Sequence, residues 1–136
     1  DRLAQVDKIN INGKTVVVIN VHLEAFDKPT RDIQTKKMLA IYNRYKDSYP
    51  TLLVGDFNSD IKFTDASIAP IINSPDIGIA AYKIPYPNTF NSINPSKRID
   101  YILYNKNFIE EINSRVLTEM GDASDHLPLM MTFKLK

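Results

Sequence analysis

Thr51-Leu52-Leu53-Val54-Gly55-Asp56-Phe57-Asn58 decides the architecture. Thr51 to Gly55 is a short apolar run of the length and composition of a buried strand, and an acid and an amide follow its C-terminal end. Upstream, Asp27, Pro29 and Thr30 read as a helix start, with proline where the first turn has no need of its N–H. Met38, Ile41, Tyr42 and Tyr45 then recur at i, i+3, i+4 and i+7, which gives a helix one buried stripe before Pro50 closes it. Ahead of that helix, Thr15 to Val21 is apolar at successive positions, as in a central strand covered on both faces. Strand, helix and strand at this spacing predict a right-handed crossover and a parallel pair.

The flanks extend the picture. Residues 4–11 alternate loosely and are joined to the Thr15 run by Asn12-Gly13, a hairpin signal because both turn positions need positive φ. Residues 62–97 carry Pro70, Pro75, Pro85, Pro87 and Pro95, so this region reads as loop with short helices at most. Ile99 to Tyr104 is a strand. Asn105-Lys106-Asn107 turns into a second strand, Phe108–Val116, and Leu127 to Leu135 alternates as the last. The class is mixed α/β (α+β), with one sheet and few helices.

The chain has 136 residues, enough for one domain with a real core, and a formal net charge of +1. So even a balance argues against a strongly basic, sequence-independent DNA binder. Cysteine is absent, which excludes disulfides and thiolate metal sites. The longest apolar run, Val16 to Ile19 with Val21, is far too short to span a membrane. These features fit a soluble protein, cytoplasmic or secreted, without choosing a compartment. The chain opens as Asp1-Arg2-Leu3, in the middle of something, and a preceding segment is expected.

Four segments carry the chemistry: Asn20-Val21-His22-Leu23, Gly55-Asp56-Phe57-Asn58, Arg98-Ile99-Asp100-Tyr101 and Ser124-Asp125-His126-Leu127-Pro128. His22 and Asp56 follow the C-terminal ends of two strands expected to be parallel. Asp100 and Asp125-His126 stand near the starts of later strands. If those run antiparallel to the first pair, all these groups fall on one sheet edge. Hydrolysis of a phosphate ester needs a cation for the non-bridging oxygens and a water attacking in line. Oxygen ligands from Asp and Asn suit Mg²⁺, with Mn²⁺ the alternative ion. A carboxylate accepts the proton of the attacking water, and a histidine serves the leaving oxygen.

Taken in order, these four segments resemble the endonuclease/exonuclease/phosphatase superfamily, the deoxyribonuclease I-like enzymes, over about residues 15–135. The resemblance implies half of a four-layer α/β/β/α sandwich, with residues 1–136 its C-terminal portion. The preceding half of the domain would supply an Asn and a metal-binding Glu, so this chain alone is expected to have little or no activity. It further implies metal-dependent hydrolysis of a phosphoester: a nucleic acid, a phospholipid head group or an inositol phosphate. His22 would contact the scissile phosphate as general acid, and Asp56 would orient or deprotonate the water. Asn58 would hold the phosphate and the metal-site water, and Asp100 would buttress a histidine. Asp125 would bind metal or orient His126, and His126 would clamp the phosphate or act as base. Asp56, Asn58 and Asp125 are the metal-ligating set. Abasic-site endonucleases carry a tyrosine motif where this chain has His22; the histidine version resembles deoxyribonuclease I, bacterial sphingomyelinases and inositol polyphosphate phosphatases.

Each residue also has a plainer reading. A lone histidine is usually a surface or satisfied core residue, but both histidines here fall inside motif segments. Asp56 and Asn58 are turn formers, and Asp125 caps turns equally well. Asp100 has an ion-pair partner to hand in Arg98. Glu24, Arg31 and Gln34 position the loop and helix after His22 or lie on a solvated face. Thr89-Phe90 lines the site or belongs to the loop. The competing functional class is a catalytically inactive scaffold of the same fold.

Overall fold

The computed structural model describes residues 2–121 and 123–136. A hairpin of β1 (Ala4–Ile11) and β2 (Lys14–His22) leads into α1 (Lys28–Tyr45) and then β3 (Thr51–Asp56). After a long loop come α2 (Ala69–Ile72), β4 (Ile77–Ile79), β5 (Asp100–Asn105), β6 (Ile109–Val116) and β7 (Leu129–Leu135). The sheet order is β1-β2-β3-β5-β4; β2 and β3 run parallel and the other pairs antiparallel. The fold is mixed α/β with a multi-strand sheet and few helices, as expected.

Local chemistry accounts for the elements. Asn12 and Gly13 both have positive φ, 51° and 82°, which lets a two-residue turn match the twist of its strands. Asp27 caps α1, its carboxylate accepting from the Thr30 N–H at 2.9 Å, with proline in the first turn. Met38 and Tyr42 of the expected stripe are buried, and Ile41 and Tyr45 partly so. Asn105 closes the far end of α1: its amide donates to the Lys46 and Tyr49 carbonyls and its oxygen accepts from the Thr51 N–H.

Side-chain alternation divides the sheet into two faces. Val17, Ile19 and Val21, Leu53, Tyr101 and Leu103 pack against α1 and the Ile68–Ile71 turn. The other face carries Val16, Leu52 and Tyr104, buried with Ile109, while Val18, Val54 and Ile102 are only partly covered. Truncating fully buried Leu53 to alanine would cost about 2–5 kcal/mol.

Two expectations need correction. β4 lies within the proline-rich region read as loop. The last strand does not join the sheet: β6 and β7 pair with each other as a separate ribbon. The reason is edge occupancy. Both hydrogen-bonding edges of β5 are taken, by β3 and β4, so β6 must leave the sheet after the Asn105–Asn107 turn. The ribbon instead packs over the second face through Ile109, Met131, Phe133 and Leu135.

Gly55 sets how closely β2 and β3 approach at their ends. Its φ is +126°, and a β-carbon there would meet the Val21 carbonyl oxygen at 2.0 Å. Gly55→Ala is therefore expected to destabilise the chain by at least about 2 kcal/mol, measured by urea unfolding. A midpoint equal to that of the unsubstituted chain would contradict this packing.

Candidate active site

Register builds the site. His22 and Asp56 are cross-strand partners in the β2–β3 pair, and Asp56 and Asp100 are partners in the β3–β5 pair. The three residues form one row across the C-terminal ends of β2 and β3 and the start of β5. By alternation from Val18, Val54 and Ile102, the row lies on the half-covered face.

His126 reaches the row from a loop, not from a strand of the sheet. An isolated bridge to Phe90 and a Leu127 N–H donated to the Thr89 carbonyl at 2.7 Å hold it there. Its Nδ1 lies 2.9 Å from Asp100 Oδ2 and its Nε2 lies 3.9 Å from Asp56 Oδ2. On the other side of Asp56, His22 Nε2 is 3.6 Å from the same oxygen. Both imidazoles therefore flank one carboxylate. Asn58, at φ 47°, donates its backbone N–H to Asp56 Oδ1 at 2.7 Å and its side-chain amide to Asp56 Oδ2 and the Leu23 carbonyl. The amide nitrogen is thus committed, which leaves Asn58 Oδ1 as the atom free to accept or ligate.

The electrostatics follow from this crowding. Burial pushes the Asp56 carboxyl above its ordinary pKa, and the Asp100 charge adds to the rise; the Asn58 N–H and the two imidazoles pull the other way without cancelling it. Burial lowers the His126 imidazole, but the Asp100 hydrogen bond and the charges of Asp100, Asp56 and Asp125 outweigh it and hold the pKa above the ordinary value. Asp56, Asp100 and His126 each offer a ligand atom, all within 4.8 Å of one another. Two crowded acids with oxygen atoms to share are a donor set that a hard divalent cation fits. Asp125 stands apart from this trio: it is exposed on the cavity wall, and its backbone carbonyl accepts from the Ser92 N–H.

A cavity of about 920 Å³ opens over the row, and His22, Asp56, Asn58, Asp100, Asp125 and His126 all line it. The pairing of Asp100 with Arg98 does not form through its carboxylate. Buried Arg98 instead donates to three carbonyls, those of Asp100, Pro87 and Ala80, and its guanidinium stacks 5.4 Å from the Tyr101 ring. Thr89 and Phe90 do belong to the site. The Thr89 hydroxyl accepts from the Ile99 and Asp100 N–H groups, and the Phe90 ring packs 4.9 Å from the His126 ring. Glu24, Arg31 and Gln34 fasten the loop after His22 rather than lying free in solvent. Sequence reasoning missed Phe26, Phe63 and Lys97 on the cavity wall. Phe26, an aromatic residue in a polar loop four positions after His22, was the one legible signal.

Asp100→Asn should lower the His126 pKa in the metal-free chain, read from imidazole proton shifts in an NMR titration. The sign follows from linkage. A raised histidine stabilises the fold fully below its unfolded value, and that contribution disappears as pH rises through the raised folded value. The stability gap between the two proteins should therefore widen as pH falls through the His126 midpoint. An unchanged midpoint would show that the 2.9 Å contact is not an ion pair.

The comparisons with known proteins agree with this geometry. Residues 4–126 match the model of the Endonuclease/Exonuclease/phosphatase family. A UPF0294 protein of Vibrio cholerae is 27% identical over 125 residues, which cover 91% of this chain and 42% of that protein. Two solved structures share the fold. The mannosyl-6-phosphatase of Bacteroides thetaiotaomicron is 22% identical with a TM-score of 0.68, covering 90% of this chain and 52% of that one. D. rerio TDP2 in complex with a single-strand DNA product is 18% identical with a TM-score of 0.77, covering 98% and 62%. The chain thus spans less than half of its curated relative and somewhat more than half of each structure. With the site residues on one sheet edge and the family model matched over most of its length, this chain belongs to the endonuclease/exonuclease/phosphatase family.

Proposed function

We propose that the protein is a divalent-metal-dependent phosphoester hydrolase, and that Mg²⁺ is its ion, with Mn²⁺ as a substitute. The observation that carries the reading is the row His22–Asp56–Asp100 with His126 set against it, two imidazoles and two carboxylates facing one cavity. That is the group set for neutralising a phosphate and moving a proton on each side of it. Relatives support it by name, one a mannosyl-6-phosphatase and another TDP2 bound to a DNA product.

In this reading the groups divide the work. Asp56, partly desolvated, accepts the proton of the attacking water. His126, oriented by Asp100, which favours its charged form, clamps a non-bridging oxygen. His22, the most exposed of the set, protonates the leaving oxygen. Asn58 Oδ1 and the Asp56 carboxylate hold the cation, with Asp100 or Asp125 completing the set. Such a cation supplies charge neutralisation at the phosphate and an acidified water. The raised pKa of Asp56 fits this arrangement, because an ionised carboxylate so placed gains from a cation beside it. Residues 1–136 are, in this reading, the C-terminal portion of the family domain. The coverage of its relatives and the half-covered second face support that assignment.

Two measurements test the reading. In the full-length protein, His126→Ala and Asp56→Asn should each lower Mg²⁺-dependent turnover of bis-p-nitrophenyl phosphate by at least about 10²-fold with an unchanged far-ultraviolet circular dichroism spectrum. Unchanged rates in either would remove that residue from the mechanism. Separately, Mg²⁺ should raise the melting temperature of the unsubstituted chain and leave that of Asp56→Asn unmoved. An equal rise in both would place the ion elsewhere.

A further inference from the structure

We infer that Phe26 and Phe63 are stacking walls for the planar rings of a single-stranded nucleic acid whose scissile phosphate lies over His22 and His126; this rests on the hydrolase reading and names its substrate class. Both phenylalanines line the cavity that holds the catalytic row, yet Phe26 is 96% exposed and Phe63 64% exposed. Neither contributes to the core, so packing does not explain their identity.

Their loops are tied down from behind. The Phe26 loop is held by the Glu24 N–H donated to Gln34 Oε1 at 2.8 Å, and by Arg31, which donates to the Glu24 and Ala25 carbonyls at 2.9 and 3.1 Å. Arg31 also reaches Ser67 Oγ at 3.2 Å, which links this loop to the one bearing Phe63. The Phe63 loop has its own anchors: Phe63 N–H to the Asp60 carbonyl at 3.1 Å, and Ile61 N–H to the Tyr101 hydroxyl at 2.9 Å. A bare aromatic ring on a fixed loop offers contact area at little entropic cost, the mark of a recognition residue.

Phe63 is also shared. It lines a second hollow of about 270 Å³, together with Tyr82 and Tyr86, whose rings stand 5.3 Å apart. Aromatic faces therefore continue outward from the phosphate site in hollows that meet at Phe63. Of the cations near these rings, Lys28 pairs with Asp32 at 3.0 Å and Lys62 binds Asn88, Ser96 and Asp60, while Lys97 stands 5.8 Å from the Phe90 ring and is available to a phosphate. With a net charge of +1 over these residues, stacking contributes more here than charge. That balance suits unpaired bases, whose faces are free, and not a duplex, whose faces are closed. A phosphosugar offers one C–H face to a single ring, not a run of planar rings to match the series Phe26, Phe63, Tyr82 and Tyr86. A bilayer is the competing occupant for so exposed a ring as Phe26, and a vesicle-binding measurement separates the two.

The test compares the full-length protein with its Phe26→Ser and Phe63→Ser variants on two diesters, a thymidylate tetramer and glycerophosphocholine, each with Mg²⁺. Both substitutions fall on exposed side chains and leave the fold intact. Loss of kcat/KM on the tetramer should exceed loss on glycerophosphocholine by about tenfold for each variant. Equal losses on the two substrates would overturn the stacking role while leaving the hydrolase reading in place. Turnover of neither substrate by the full-length protein would fail that reading and, with it, this one. A binding arm separates ring from membrane. The chain contains no tryptophan, so Phe63→Trp creates a lone fluorescent reporter. Quenching by the tetramer is expected. A response only to phosphatidylserine–phosphatidylcholine vesicles, or to neither probe, would overturn the inference.

Discussion

A side chain at the end of a strand inherits its face and its depth from every residue that pairs before it. In this molecule Val17 opens the pairing with Thr51, and the ladder runs unbroken to His22 and Asp56. The β3–β5 ladder does the same from Leu52 and Tyr104 to Asp56 and Asp100. A slip of one residue in either would turn the shifted strand's member of the row to the helix-packed face, so hydrophobic alternation and site geometry are one constraint. Gly55 tightens that constraint. Its missing β-carbon lets the two strands close where they deliver His22 and Asp56.

The same row concentrates like charge. Asp56 and Asp100 stand as neighbours on a partly desolvated edge, and two imidazoles are the protein's own compensation. The compensation is incomplete at Asp56, whose carboxyl stays above its ordinary pKa. An edge so balanced leaves a charge deficit, which in the proposed reading a cation and a phosphate would fill together. Arg98 is kept out of this account. Its guanidinium is spent on three backbone carbonyls beneath the site, where it fixes the loops and leaves Asp100 free for His126.

Much of this was legible in the residues. Asn12-Gly13, the Asp27–Pro29 start and the Met38–Tyr45 stripe act through local rules, and each appears where those rules put it. The six motif residues line one cavity because three of them obey strand period and register. What failed to show was non-local. Nothing in Ile77–Ile79 announces a strand, since its pairing partner lies more than twenty residues away, and its presence is what expels β6 from the sheet. Asp125 fell on a turn whose direction depends on the Phe90 bridge, so adjacency to His126 in sequence did not place its carboxylate beside Asp56. Phe26 and Phe63 escaped because periodicity finds residues that are buried, and these are not.

His22, Asp56 and Asp100 sit on continuous ladders, whereas His126 is held by an isolated bridge to Phe90 and a few single hydrogen bonds of its loop. The two parts therefore belong to different units of local stability. Lifting the segment from Ala123 to Pro128 would withdraw one imidazole and disarm the centre while the five strands stay paired. Amide protons there should exchange with solvent far sooner than those of Val54 or Leu103, and the fraction of molecules with the site assembled would then be set by that small opening equilibrium rather than by global unfolding.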